Sequence, residues 1–212
     1  MGPGRLSVAG GRLDIMIEPD AKSDLHRYLQ EARDALVWKL EGLSEYGIRR
    51  PMTPTGTNLL GLVKHATFVE VGYFGDAFGH PFGEGLPSWK LAMAEDNVDM
   101  WATADESRED IVEQYRRVWA HADATIAELP LDTVGQVPWW PEERRGATLH
   151  HLLVRVLGDT QRHAGHADIV RELIDGSAGE SASGTSLPPG DQGWWEEYRA
   201  KLERVARAAD QR

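Results

Sequence analysis

The chain has 212 residues, 41% hydrophobic and 27% charged, with a formal net charge of −11. That length suits one domain with a real core, and the acidic balance excludes nucleic-acid binding through a phosphate-neutralising surface, which needs clustered Lys and Arg. There are no cysteines, so disulfides, thiolate zinc fingers and a cysteine nucleophile are excluded, and any metal site must draw on His, Asp and Glu.

Residues 1–22 are Gly-rich and read as a flexible segment without an apolar stretch of signal-peptide length. No run of 18 apolar residues occurs further on, so no membrane span is expected, and a cytoplasmic protein fits. The first predicted helix runs from about Ser23 to Glu45, with Ser23 as N-cap and Leu25, Leu29, Ala32, Leu36, Leu40 and Leu43 as its apolar stripe. The second starts near Gly56-Thr57 and ends near Phe78-Gly79, on Leu59, Leu62, Val63, Ala66 and Val69. Residues 79–104 form a connection long enough to hold short structure or line a site.

The third helix is expected over about Asp105 to Leu129, started by Ser107 and carrying Ile111, Tyr115, Val118, Trp119, Ala122 and Ile126. The fourth runs from about Thr148 to Asp175, ended by Gly176. Residues 176–190 are rich in Gly, Ser and Pro and read as a linker or lid. A last helix starts near Asp191, with Trp194, Trp195, Tyr198 and Leu202 available to pack. No convincing alternating strand is present. The pattern predicts an all-α four-helix bundle over residues 23–176 with long loops, followed by a linker and extra C-terminal helix over 177–212 that packs on it. The second and fourth helices open alike, TNLLGLVKH and TLHHLLVRV, which hints at two related helix pairs.

The fourth helix carries the chemistry. A helix turns about 100° per residue, so Val156, Asp159, His163, His166 and Val170 share a stripe. Buried polar groups need partners. Asp159 and His163 lie one turn apart, about 6 Å along the axis, and two ligands so spaced can grip one divalent ion. His65 shares the apolar phase of the second helix and is the third candidate. Two His and one carboxylate form the donor pattern of catalytic metal sites, with Zn²⁺ the expected ion and Ni²⁺ or Fe²⁺ the alternatives. His166 is a candidate fourth ligand, supporting partner or proton carrier.

Each of these residues also has a plainer reading. A lone buried His is usually a satisfied core residue, and Asp159–His163 alone reads equally as a local helix pair. His26, His80, His121, His150 and His151 share no stripe with the set and read as solvated or loop histidines. Trp89, Trp101, Trp139 and Trp140 sit in the long connections, either roofing a pocket or, the favoured reading, anchoring the loops. Arg144 and Arg145 read as solvated charges and Asp168/Arg171 as a surface pair. Arg162 points away from the stripe.

The stretches LVKHA and RHAGHAD, within TGTNLLGLVKHATFVEVGYFGDAFG and QRHAGHADIVRELIDG, resemble the DinB-like superfamily, in a branch of unassigned function. The resemblance spans roughly residues 23–176. It implies a four-helix bundle, often dimeric, with a metal held between helices, and kinship with mycothiol-dependent maleylpyruvate isomerase. Carried across, the metal ligands are His65, Asp159 and His163, with Asp159 where the isomerase-like pattern has Glu. The expected function is a metal-dependent enzyme using a mycothiol-like low-molecular-weight thiol in S-transfer or isomerisation of a small molecule. A hydrolase in the same site stays open as an alternative, as does a non-enzymatic bundle with a structural metal or none.

Overall fold

A computed structural model describes residues 20–83, 95–185 and 187–210. Four long helices form the bundle: α1 (Ala21–Trp38), α3 (Leu59–Glu70), α4 (Arg108–Glu128) and α5 (Leu149–Asp175). A short α2 (Glu45–Arg49) lies after α1, and α6 (Gln192–Asp210) ends the described chain. Helix α1 packs along α5, α3 along α4, and α3 also lies against α5. The all-α bundle expected from the apolar periodicity is the observed fold.

The helix ends obey capping chemistry. Thr148 and Ser107 cap α5 and α4, accepting from the amides of His151 and Asp110, and Gly176 closes α5 at φ +82°. At α1 the cap is Asp20, not Ser23; the aspartate accepts from the Lys22 amide. Helix α1 stops at Trp38, earlier than the expected Glu45, because Gly42 at φ +73° turns the chain and Ser44 caps α2. Leu40 still reaches the core from this turn. Asn58 caps α3, one residue beyond the expected start at Gly56-Thr57, by accepting from the Gly61 amide at 2.8 Å.

Beyond Glu70 the second helix widens into a π-helical turn (Val71–Gly75), tightens to a 3₁₀ turn (Asp76–Phe78) and ends at Gly79, φ +71°. The widened turn shifts the helical phase, and Tyr73 and Phe74 join the core. One expectation is corrected: β1 (Val134–Gln136) and β2 (Gly146–Thr148) pair antiparallel, with Gly135 opposite Ala147. Three residues per strand are too few for period-2 alternation to register in a sequence. The hairpin delivers the chain directly into α5.

The core has two parts. One gathers Leu36, Ile48, Leu60, Val63, Tyr115 and Val170; the other gathers Leu29, Phe74, Ile126, Leu149 and Val156. Between α1, α3 and α4 lies a buried polar group that apolar periodicity does not announce. Arg33, fully buried, meets both oxygens of buried Glu70 at 3.0 and 2.6 Å. Tyr115 donates to the same carboxylate at 3.2 Å, and Arg33 also reaches Asp123 at 2.7 Å.

The Asp168/Arg171 pair is also corrected. Asp168 pairs with buried Lys39 at 2.9 Å and accepts from the Gly179 amide, while Arg171 pairs with Asp175 at 2.7 Å. Tertiary contact with the end of α1 and the 177–184 turn outcompetes the local i, i+3 option. Helix α6 buries none of its residues, so no buried residue supports its expected packing on the bundle. Among the described residues no helix is long and apolar enough to cross a membrane.

Candidate metal centre

His65 projects from the middle of α3, and Asp159 and His163 from adjacent turns of α5. All three are half-buried, and one ligand atom from each lies within 4.8 Å of the others. His65 Nε2 stands 3.7 Å from Asp159 Oδ2, and His163 Nε2 stands 3.6 Å from the same oxygen. The two imidazoles meet edge to face, centroids 4.8 Å apart. The spacings exceed a hydrogen bond, so neither imidazole is bonded to the carboxylate. Donors sharing one ion at 2.0–2.2 Å in tetrahedral array lie about 3.4 Å apart. The two imidazole–carboxylate separations are close to that value and all three donor atoms lie within 4.8 Å of one another, so the donor set is compatible with a shared divalent ion.

The other ring nitrogen of His65 has a firm partner. Nδ1 lies 2.6 Å from Asp99 Oδ2, and the Asp99 side chain is only 14% exposed. A carboxylate on Nδ1 keeps a proton there and leaves Nε2 as the nitrogen facing Asp159 and His163. Asp99 belongs to the long connection, in a turn where Asn97 adopts φ +60°. Gly61 lets that turn approach α3, since a Cβ at residue 61 would sit 1.8 Å from the Met100 carbonyl oxygen. The length of this connection points to a site lining, but nothing in the sequence singles out Asp99, because a turn residue carries no periodic signal.

The electrostatics divide the two imidazoles. Burial alone would push His65 down, but the carboxylates of Asp159 and Asp99 overcome it and raise its pKa to about 9. His163 moves the opposite way, lowered by burial and by the charge on His65. Burial works to raise Asp159, yet the neighbouring His65 and His163 charges hold it below the usual carboxylate value. His163 Nδ1 is buried and, among the described residues, has no hydrogen-bond partner.

His166 separates from the set. It is exposed, with its ring centroid 5.5 Å from that of His163. The buried face of α5 runs through Val156, Thr160, Ala164, Ala167 and Val170, so the stripe predicted from spacing is split: Asp159 and His163 border the core and His166 lies outside it.

Trp139 and Trp140 anchor their loop on the second core cluster. Gly72 gives Trp139 room, a Cβ there standing 2.5 Å from the indole. Trp101 is 47% exposed, and Trp89 lies outside the described residues. His26 pairs with Asp123 at 2.8 Å, and His121 with the His80 carbonyl at 2.8 Å, both away from the three-residue set.

A family model described as mycothiol-S-transferase matches residues 24–176. No curated protein matches the chain. The chain belongs to the mycothiol-S-transferase family, a DinB-like family, in agreement with the resemblance carried by LVKHA and RHAGHAD.

Proposed function

We propose that this mycothiol-S-transferase family member holds one divalent ion through His65, Asp159 and His163 and joins a low-molecular-weight thiol of the mycothiol class to an electrophilic carbon. The carrying observation is the convergence of two imidazoles and a carboxylate from facing helices within 4.8 Å, in a chain that has no thiol of its own. Three protein donors is the number that catalytic zinc sites use; nickel and iron suit the same donors. When bound, the ion supplies Lewis-acid stabilisation of a thiolate at neutral pH.

The chain's own groups do the rest. Asp99 fixes the ring of His65 and its Nδ1 proton. His163, with its lowered pKa, is neutral at pH 7 and offers a lone pair, and Asp159 stays ionised. In the transfer the thiol proton passes to solvent, a sulfur–carbon bond forms, and the leaving group departs with its electron pair. The reaction belongs, on this reading, to the bundle over 23–176, in a cytoplasmic homodimer, with 177–212 as an appendage.

The test combines metal analysis of tag-free protein by mass spectrometry with thioether formation from mycothiol and an alkyl halide. About one ion per chain and turnover above the uncatalysed rate are expected. Protein that takes up none of Zn²⁺, Ni²⁺ or Fe²⁺ and forms no thioether would sink the reading, leaving a bundle with a polar cluster.

The supporting carboxylate has its own measurable effect. Asp99→Ala is expected to weaken metal affinity by roughly 10–100-fold, the usual cost of losing an orienting carboxylate, as read by competition with a chromophoric chelator. An unchanged affinity would remove Asp99 from the site.

Metal uptake is also expected to release a proton. In the metal-free protein His65 is protonated below its pKa of about 9, and the ion must displace that proton. Below that pH the logarithm of affinity therefore rises by about one per pH unit, then flattens above it. Calorimetry in buffers of different ionisation enthalpy measures the proton count, and zero release at about pH 7.5, well below the His65 value, would contradict the assignment of His65.

A further inference from the structure

We infer that the electrophile taken by this site carries a carboxylate and that Arg155 receives it; the inference rests on the thiol-transfer reading and specifies its substrate class. Arg33, Arg108 and Arg171 are spent on carboxylates, on Glu70, Glu45 and Asp175 respectively. Arg155, like Arg116, Arg117 and Arg162, has no such pair among the described residues, and what sets it apart is the way it is held. Among the described residues no carboxylate lies within 4.0 Å of its guanidinium.

It is held instead by neutral groups. Nε donates to the Tyr73 hydroxyl at 2.7 Å, and Cζ lies 5.3 Å from the Tyr73 ring centroid and 5.4 Å from that of Trp140. Aromatic faces and a hydroxyl orient a guanidinium without cancelling its charge. With Nε engaged, Nη1 and Nη2 have no hydrogen-bond partner among the described residues and form a fork matched to a planar oxyanion.

The placement is as specific as the restraint. Arg155 precedes Asp159 by one turn on α5, about 6 Å along the axis, so Arg155, Asp159 and His163 form one line along the helix. The Arg155 side chain is exposed, so a ligand can reach the fork. The π-helical turn brings Tyr73 to this position, and Trp140 arrives from the loop before α5. A cation fixed one turn from the ligand set discriminates an acidic electrophile from its neutral isostere. A residue acting only as a staple between α5 and the Trp140 loop would affect stability without any such discrimination.

Two thioethers test this on the zinc-loaded full-length protein: S-carboxymethyl-mycothiol and S-carbamoylmethyl-mycothiol, which differ only in carboxylate against amide. Calorimetry is expected to show the carboxymethyl adduct bound about tenfold or more tightly by the wild type. Arg155→Met should bring the two to parity by weakening only the acidic adduct. Arg155→Lys should retain part of the preference, and Tyr73→Phe should reduce it while leaving the charge. If both adducts bind the wild type equally, the inference is overturned and the thiol reading stands. A preference that survives in Arg155→Met also overturns it, placing carboxylate recognition elsewhere. If neither adduct binds the wild type, both readings fall together. Should Arg155→Met lose its helicity, the wild-type ratio and Arg155→Lys decide.

Discussion

Alanine at His163 or at His65 is expected to reduce bound metal from about one ion per chain to background and thioether formation by at least about a thousandfold. Each imidazole is one of only three donors drawn together among the described residues, and a two-donor remnant competes poorly with water and buffer. The loss must exceed the effect of Asp99→Ala, because removing a ligand removes a bond whereas removing its partner only disorders one. Asp159→Glu is the complementary variant. It restores the residue of the isomerase-like pattern and is expected to keep the ion, since the carboxylate is retained. Metal analysis by mass spectrometry, with circular dichroism to show that the helices persist, checks all three. Retention of stoichiometric metal by His163→Ala would remove that residue from the ligand set.

The largest stability effect is expected away from the site. Arg33 and Glu70 are both fully buried and meet through two hydrogen bonds. Glu70→Leu alone takes the buried carboxylate from the Arg33 guanidinium and leaves it only the half-buried Asp123, and Arg33→Met alone leaves the buried Glu70 carboxylate with the Tyr115 hydroxyl but no cation. Each is expected to cost about 3–5 kcal/mol, or roughly 10 °C of melting temperature for a chain of this size. The double variant Arg33→Met/Glu70→Leu should recover much of that loss, because the buried charges disappear together. It should not recover everything: the Tyr115 hydroxyl loses its acceptor, a penalty of about 1–3 kcal/mol. Urea unfolding of the four proteins forms a double-mutant cycle. If the double variant loses the sum of the two singles, the residues act independently and the network account is wrong.

The helices are legible because their signals are local. Apolar recurrence near period 3.6 locates all four bundle helices, and Thr148, Ser107 and Gly176 mark ends that the structure repeats. The misplaced ends have local competitors. Asp20 outcompetes Ser23 as a cap, and Gly42 turns the chain before Glu45. Helical spacing also identifies His65, Asp159 and His163 as candidates, since i, i+4 adjacency on one helix needs no tertiary knowledge. It cannot rank His166, whose phase is only a little different but which falls on the exposed side of the boundary set by α3.

What the sequence by itself determined was the set of amphipathic helices, the lack of any thiol and the small stock of side chains able to hold a metal. Periodicity and composition are properties of a chain read one turn at a time. What only the tertiary structure decided was which of those side chains meet. Asp99 reaches His65 from 34 residues away through a turn that α3 admits only at Gly61. Arg155 is held by Tyr73 across 82 residues because a π-helical turn resets the phase of the second helix. Arg33 trades an apolar position on α1 for an ion pair with Glu70. Such partnerships depend on the approach of surfaces distant in sequence, and a one-dimensional pattern does not encode the distance between two helices.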